Sequence, residues 1–310
     1  MPILCLIGSV FFVSCVSIMG GFYNRKNDEK KGASSLYNLL IIGTVFLGWF
    51  LLFLFDLEME WGVLPYSVAF GVCYAVCAIA TIYALKTGPI LLTSLILQLS
   101  LIAVAVWGFI VGWQSPTILT WIGIGLVIIS LWLCLYTGKR TENTSLDLSD
   151  ENALKTENEG GRVENKLSLK WLFFVALMFF GNAGCSIVQK TQQLAYDGKY
   201  GNFLMATAML IGVVTCIVIY LCDDKSESKA ILKTSWFIPV IAGLGNVLLN
   251  LAVMYMATST LSPSLIYPVM AVGSLIVTTL FSAFIFKEKM YWWQWVGVVI
   301  GMVATAILSI

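Results

Sequence analysis

Apolar residues fall into ten runs separated by short breaks of charge, Pro, Gly or Asn, at about 3–22, 38–55, 62–86, 88–112, 117–137, 168–190, 201–222, 235–257, 260–286 and 291–310. A helix rising 1.5 Å per residue crosses the ~30 Å hydrocarbon layer of a bilayer in about 20 residues, so each run is predicted to form a membrane-spanning helix. The one long polar stretch, around 138–166, is rich in Glu, Asn, Ser and Lys and lacks the apolar surface needed to fold alone. It divides the chain into a first set of five spans at 1–137, a polar linker at 138–167 and a second set of five at 168–310.

Composition agrees with this pattern. The chain is 59% hydrophobic and 11% charged, against about 45–50% apolar and about 25% charged for a soluble domain. An all-α, multi-pass membrane protein is expected. A formal net charge of +1, with no basic run interleaved with aromatics, gives no footprint for nucleic acid. The absence of histidine removes imidazole from any metal site, catalytic triad or proton relay. Eight cysteines lie almost entirely inside apolar runs without a CxxC pair, and read as small core residues rather than disulfides or metal ligands. No metal, cofactor or catalytic residue is expected. The first apolar run is followed, not preceded, by positive charge (Arg25, Lys26, Lys30, Lys31), which suits a retained span better than a signal peptide.

The positive charges set an orientation. Connections after the odd-numbered spans hold sixteen Lys and Arg, while those after the even-numbered spans hold only Lys190 and Lys199. The positive-inside rule therefore places the odd-numbered connections in the cytoplasm and both termini outside, in a membrane expected to be the bacterial cytoplasmic membrane. Lys86 and Lys190, near span ends, are expected to extend to the interfaces.

The two halves echo one another. Ser94-Leu95-Ile96-Leu97-Gln98 aligns with Ser264-Leu265-Ile266-Tyr267-Pro268, Trp121-Ile122-Gly123 with Trp295-Val296-Gly297, and Cys15 with Cys185, at offsets of 170 to 174. Because five is odd, duplicated five-span units insert with opposite topology and enclose a site near the midplane, as in many secondary transporters. The halves also differ: Gln98 stands opposite Pro268, and the uncharged Trp113-Gln114-Ser115-Pro116 stands where the second half has Lys287-Glu288-Lys289.

One stretch carries a more specific pattern: Tyr255-Met256-Ala257, Ser264-Leu265-Ile266-Tyr267-Pro268, Lys287-Glu288, then Trp295-Val296-Gly297 with Gly301. It resembles the second half of an EamA-type member of the drug/metabolite transporter superfamily. The resemblance implies ten helices, a central cavity lined mainly by spans 1, 3, 4, 6, 8 and 9, and a small organic substrate. The small multidrug resistance branch resembles this architecture but uses a membrane-embedded glutamate to exchange protons for cationic drugs. Here the middle of span 1 offers only Ser14 and Ser17, and no span has an Asp or Glu at its centre, which disfavours proton-coupled export of cations.

In hydrocarbon a polar side chain costs free energy unless it meets a partner, water or substrate, so polar residues stacked on one helical face mark an interior surface. Three stacks qualify: Asn182, Ser186 and Gln189; Asn246 and Asn250; Ser94 and Gln98. Tyr74 and Tyr267 are added as aromatic candidates for the same site, and Pro268 as a hinge, since proline removes a helical hydrogen bond within span 9. Each has a purely structural reading. Amides serve equally well as glue between helices, worth about 0.6–2 kcal/mol per bond, and aromatics such as Tyr83, Trp107 and Tyr255 pack or anchor at interfaces. Gly297 and Gly301, at small-xxx-small spacing, read as a packing face within a monomer or between the protomers of a homodimer.

A transporter of a small neutral or zwitterionic, amino-acid-like metabolite, working by alternating access and in the direction of export, is the leading expectation. A carrier of quaternary or other organic cations is the alternative. A non-transporting scaffold or receptor needs no polar midplane, and a membrane enzyme lacks any candidate catalytic cluster. A tag placed after Ile310 is expected to be reached by an impermeant antibody in intact cells; labelling only after permeabilisation would reverse the orientation.

Overall fold

The computed structural model describes residues 2–27, 30–87, 90–113, 115–135, 169–285 and 291–308. The polar linker at 138–167 and the turn Lys287-Glu288-Lys289 lie outside these residues. Among the described residues the regular structure is helical: α1 Pro2–Asn27, α2 Ala33–Asp56, α3 Leu64–Thr87, α4 Ile90–Ile110, α5 Ile118–Leu135, α6 Leu169–Ala195, α7 Gly201–Cys222, α8 Ser228–Ser235, α9 Phe237–Ala257, α10 Pro263–Ile285 and α11 Trp292–Leu308. Seven apolar segments are long enough to cross a membrane by length and composition, and three shorter ones, Ile96–Ile110, Ile118–Leu133 and Trp292–Leu308, are equally apolar.

Several elements depart from the sequence pattern: α1 runs on to Asn27 and α2 begins already at Ala33. The sixth span runs five residues past Lys190, to Ala195. A short additional helix, α8, precedes α9, with Ser228, Ile231 and Ser235 buried on one face and a lysine in its last turn. The turn between α1 and α2 packs against the start of this segment. Gly32, at φ 74°, has room for no Cβ, because one would lie 2.1 Å from the Asp224 carbonyl oxygen. Beside it the Lys31 N–H donates to Glu227 (2.8 Å), and the Lys31 ammonium sits 3.6 Å from the Asp224 carboxylate.

The surface is that of a protein solvated by lipid. Phe55, Ile118, Leu169, Phe180 and Trp292 are each at least 70% exposed, whereas soluble monomers rarely expose contiguous apolar patches beyond a few hundred Å². The tightly packed interior centres on Trp49, Val45, Leu204, Met205 and Met209, where α2 and α7 meet. Other close pairings are α3 with α6 and α7, α1 with α9 and α10, α2 with α9, α4 with α6 and α10, and α5 with α11.

Between apolar helices in lipid, burial supplies little driving force, so van der Waals contact through small residues carries the association. Gly181 of α6 shows how closely α3 approaches: a Cβ there would lie 2.9 Å from the Cys73 carbonyl oxygen and 3.0 Å from Cys77 Cβ. On α11, Gly301 faces Val272 and Ser130, and Ser130 Oγ donates to the Gly297 carbonyl at 2.7 Å. The Gly297/Gly301 face is therefore occupied within the chain by α5 and α10.

Gly181→Ala is expected to lower stability by about 1–3 kcal/mol through overpacking against backbone. Gly125→Ala, where a Cβ would meet no neighbouring heavy atom within 4 Å, is expected to be neutral or to stabilise by up to about 1 kcal/mol. Thermal midpoints of the two variants in one detergent check this, and equal midpoints would refute the contact.

Candidate functional site

The polar stacks converge. Asn182, Ser186 and Gln189 of α6, Asn246 and Asn250 of α9, Gln98 of α4, Tyr74 of α3 and Tyr267 of α10 all line one cavity of about 850 Å³. Asn182 stands at the middle of its helix, and Asn246 and Asn250 flank the middle of theirs. Ser94 lies on α4, but its side chain is outside the described residues. Pro268 sits inside α10 directly after Tyr267 and contributes no N–H to the helical ladder. Of the other aromatics considered, Tyr83, Trp107 and Tyr255 are each more than 40% exposed, on the outer surface.

The amides bond across helices. Asn182 Nδ2 donates to Ser100 Oγ on α4 at 2.6 Å, and Gln189 Nε2 donates to Asn250 Oδ1 on α9 at 3.5 Å. Asn250 Nδ2 in turn donates to the Asn246 carbonyl and to Asn246 Oδ1, both at 2.9 Å. Hydroxyls behave differently: Ser14, Ser17, Thr81 and Thr191 each donate to the carbonyl four residues earlier on their own helix. Hydroxyls satisfied this way say little about the interior, although Ser130 is one that reaches another helix, whereas an amide has more hydrogen-bonding groups than its own helix satisfies.

Several lining residues escaped the sequence reading. Ser34, Tyr37 and Asn38 of α2, Thr81 and Cys77 of α3, and Cys185 of α6 also face the cavity. Ser34 and Asn38 form an i, i+4 pair that only becomes visible once α2 is extended back to Ala33, because Asn38 otherwise looks like the edge of an apolar run. The lining draws on α1, α3, α4, α6, α9 and α10, and also on α2 and on Met209 of α7. None of the described residues lining the cavity is charged.

The cavity reaches the end of the bundle where α1 ends and α2 begins, through Ser34, Asn38 and Thr81. Buried polar groups occupy the opposite end. There Lys190 is not extended to the interface; it is 4% exposed, donates from Nζ to the Ala257 carbonyl at the C-terminus of α9 at 2.7 Å, and lies 5.9 Å from the Trp113 ring. Because the helix continues past it, Lys190 turns inward and caps a carbonyl that α9 leaves without a helical donor. Lys86 has its side chain outside the described residues. Beside Lys190, Gln192 and Gln193 are buried and linked: Gln193 Nε2 donates to Gln192 Oε1 (2.7 Å), and Gln192 Nε2 donates to the Lys199 carbonyl (2.9 Å).

A bundle of apolar helices with a lipid-facing exterior and a polar interior chamber defines an integral, multi-pass membrane protein. Residues 169–310 match the EamA-like transporter family. That segment therefore carries the likeness to a family of membrane transporters, not of enzymes. No curated protein matches the chain. A solved structure described as "Crystal structure of protein" is similar over 98% of this chain and 94% of that one, with a TM-score of 0.70 at 10% identity. At that identity the likeness is one of fold, and it extends over the first half as well as the second.

Gln192→Leu is expected to destabilise the protein by about 1–3 kcal/mol, because it leaves the Lys199 carbonyl and the Gln193 amide without their partners. Lys190→Met removes a buried charge but leaves the Ala257 carbonyl without its donor, opposing effects expected to give a smaller loss than Gln192→Leu. Chemical denaturation of both variants checks the order, and a larger loss in Lys190→Met would reverse it.

Proposed function

We propose that the protein is a transporter built from two inverted five-helix repeats, 1–137 and 168–310, joined by the linker at 138–167. On this reading it moves a small neutral or zwitterionic, amino-acid-like solute by alternating access, in the direction of export. The observation that carries it is the meeting of Asn182, Ser186, Gln189, Asn246 and Asn250 around one uncharged chamber at mid-helix depth. A chamber ringed by neutral hydrogen-bonding groups receives solutes without net charge more readily than ions, whose desolvation it does not repay.

Helix packing supports the repeat. Exchanging α1 for α6, α2 for α7, α3 for α9, α4 for α10 and α5 for α11 turns the α1/α9 contact into α6/α3, α2/α9 into α7/α3, and α1/α10 into α6/α4, while α2/α7, α4/α10 and α5/α11 map onto themselves. The cavity extends to the end where α1 meets α2, which the charge asymmetry assigns to the cytoplasm, so the arrangement is read as inward-facing. Pro268, beside the lining residue Tyr267, supplies the hinge. Aromatic lining by Tyr37, Phe70, Tyr74 and Tyr267 favours an organic cation as the second reading, since aromatic faces attract quaternary ammonium groups.

A thermal-shift screen of the purified protein against amino acids, sugars, nucleosides and quaternary amines separates the two, because a ligand stabilises the folded state whatever its direction of transport. With the ligand so found, Asn182→Ala and Asn250→Ala are each expected to weaken binding by up to about a hundredfold, as lost hydrogen bonds of roughly 0.5–3 kcal/mol require. Lower thermal midpoints with unchanged affinity in both variants would return these asparagines to a packing role.

A further inference from the structure

The hydrogen bonds around the chamber leave Asn182 and Gln189 one orientation each. Ser100 is fully buried, and its single hydroxyl proton is donated to the Leu97 carbonyl at 2.5 Å. Its oxygen can then only accept, so Asn182 must turn its NH2 group towards Ser100 (2.6 Å), which leaves Asn182 Oδ1 without a protein donor among the described residues. The second amide chain is anchored in the same way. A backbone carbonyl, that of Asn246, accepts from Asn250 Nδ2, which presents Asn250 Oδ1 to the Gln189 NH2 group and leaves Gln189 Oε1 free. Asn182 and Gln189 are seven residues apart on one face of α6, about 10 Å along the axis at 1.5 Å per residue.

We infer that Ser100 is a positioning residue, which through Asn182 fixes a hydrogen-bond acceptor on the α6 wall of the chamber that selects solutes carrying N–H donors and rejects fully N-methylated ones. The inference rests on the chamber being the substrate site. A site built to accept hydrogen bonds discriminates strongly against a ligand that lacks the donor, because its buried oxygens then lose water without gaining a partner. An ammonium group with three N–H bonds meets this wall, whereas a trimethylammonium group presents only methyls to it. Asn246, whose Nδ2 makes no bond to the protein among the described residues, offers donors from α9 for a carboxylate. Leu97, Leu101, Leu249 and Val253 leave an apolar stretch of wall for a side chain.

The test uses leucine and its mono-, di- and trimethylated N-derivatives as probes, titrated by thermal shift and by calorimetry on the purified full chain. Leucine is expected to bind, with affinity falling along the series and at least tenfold weaker binding for N,N,N-trimethyl-leucine. Ser100→Ala frees the Asn182 amide to rotate and is expected to shrink the leucine-to-trimethyl ratio several-fold, while Ser100→Thr, which keeps the hydroxyl, restores it. Trimethyl-leucine binding as tightly as leucine to the wild-type protein, a comparison that needs no variant, would overturn the inference, as would an unchanged ratio in folded Ser100→Ala. No binding by any member of the series would instead overturn the reading of the chamber as an amino-acid-like site, and the inference with it.

Discussion

Hydrocarbon supplies no hydrogen bonds, and every polar group placed in it must find its partner within the protein. The backbone meets this demand by becoming helical, which fixes the class of fold. The side chains meet it in two ways. Many hydroxyls fold back onto their own helix, as in the bonds from Ser17 and Thr81, while Ser130 reaches the Gly297 carbonyl of α11. Amides reach across to another helix, as Asn182 does to Ser100 and Gln189 to Asn250. The second group ties α6 to α4 and to α9, and those ties border the chamber. The same bonds that reduce the cost of polar residues in the membrane thus give the chamber its polar lining.

Much of this was legible in the sequence. Runs of apolar residues located the long helices to within a few residues at most ends, because a bilayer demands length and apolarity together. The stacks at Asn182, Ser186 and Gln189 and at Asn246 and Asn250 pointed to the chamber because helical spacing turns them to one face. What escaped was set by tertiary contact. Ser34 and Asn38 sit in the first two turns of α2, whose start depends on Gly32 meeting Asp224, and α8 is a half-buried helix too short and too polar to register as a span. Lys190 read as a residue near a span end. Whether α6 stopped there or continued depended on the carbonyl of Ala257 and the ring of Trp113, neither of them near in sequence.

The helices are held apart from and against one another by different means. Where α3 meets α6, Gly181 lets backbone approach backbone, leaving no space for a side chain. Where α4, α6 and α9 surround the chamber, apolar contacts such as Val104 with Ala183 are joined by amide bonds between side chains. Close packing on one flank and polar, looser packing on the other concentrate the open volume on one side of α6. A rocking of the halves would meet least resistance along the same flank.

Lys190 has a consequence of an electrical kind. Its ammonium is buried with a carbonyl and an aromatic ring for company, and no carboxylate pairs with it among the described residues. A charge carried across a membrane does work of about 2.3 kcal/mol per 100 mV for the full thickness. Any rearrangement that moves the end of α6 along the membrane normal moves this charge through part of that field. A carrier whose chamber and cargo are both uncharged would then still feel the membrane voltage, through the protein rather than through the solute.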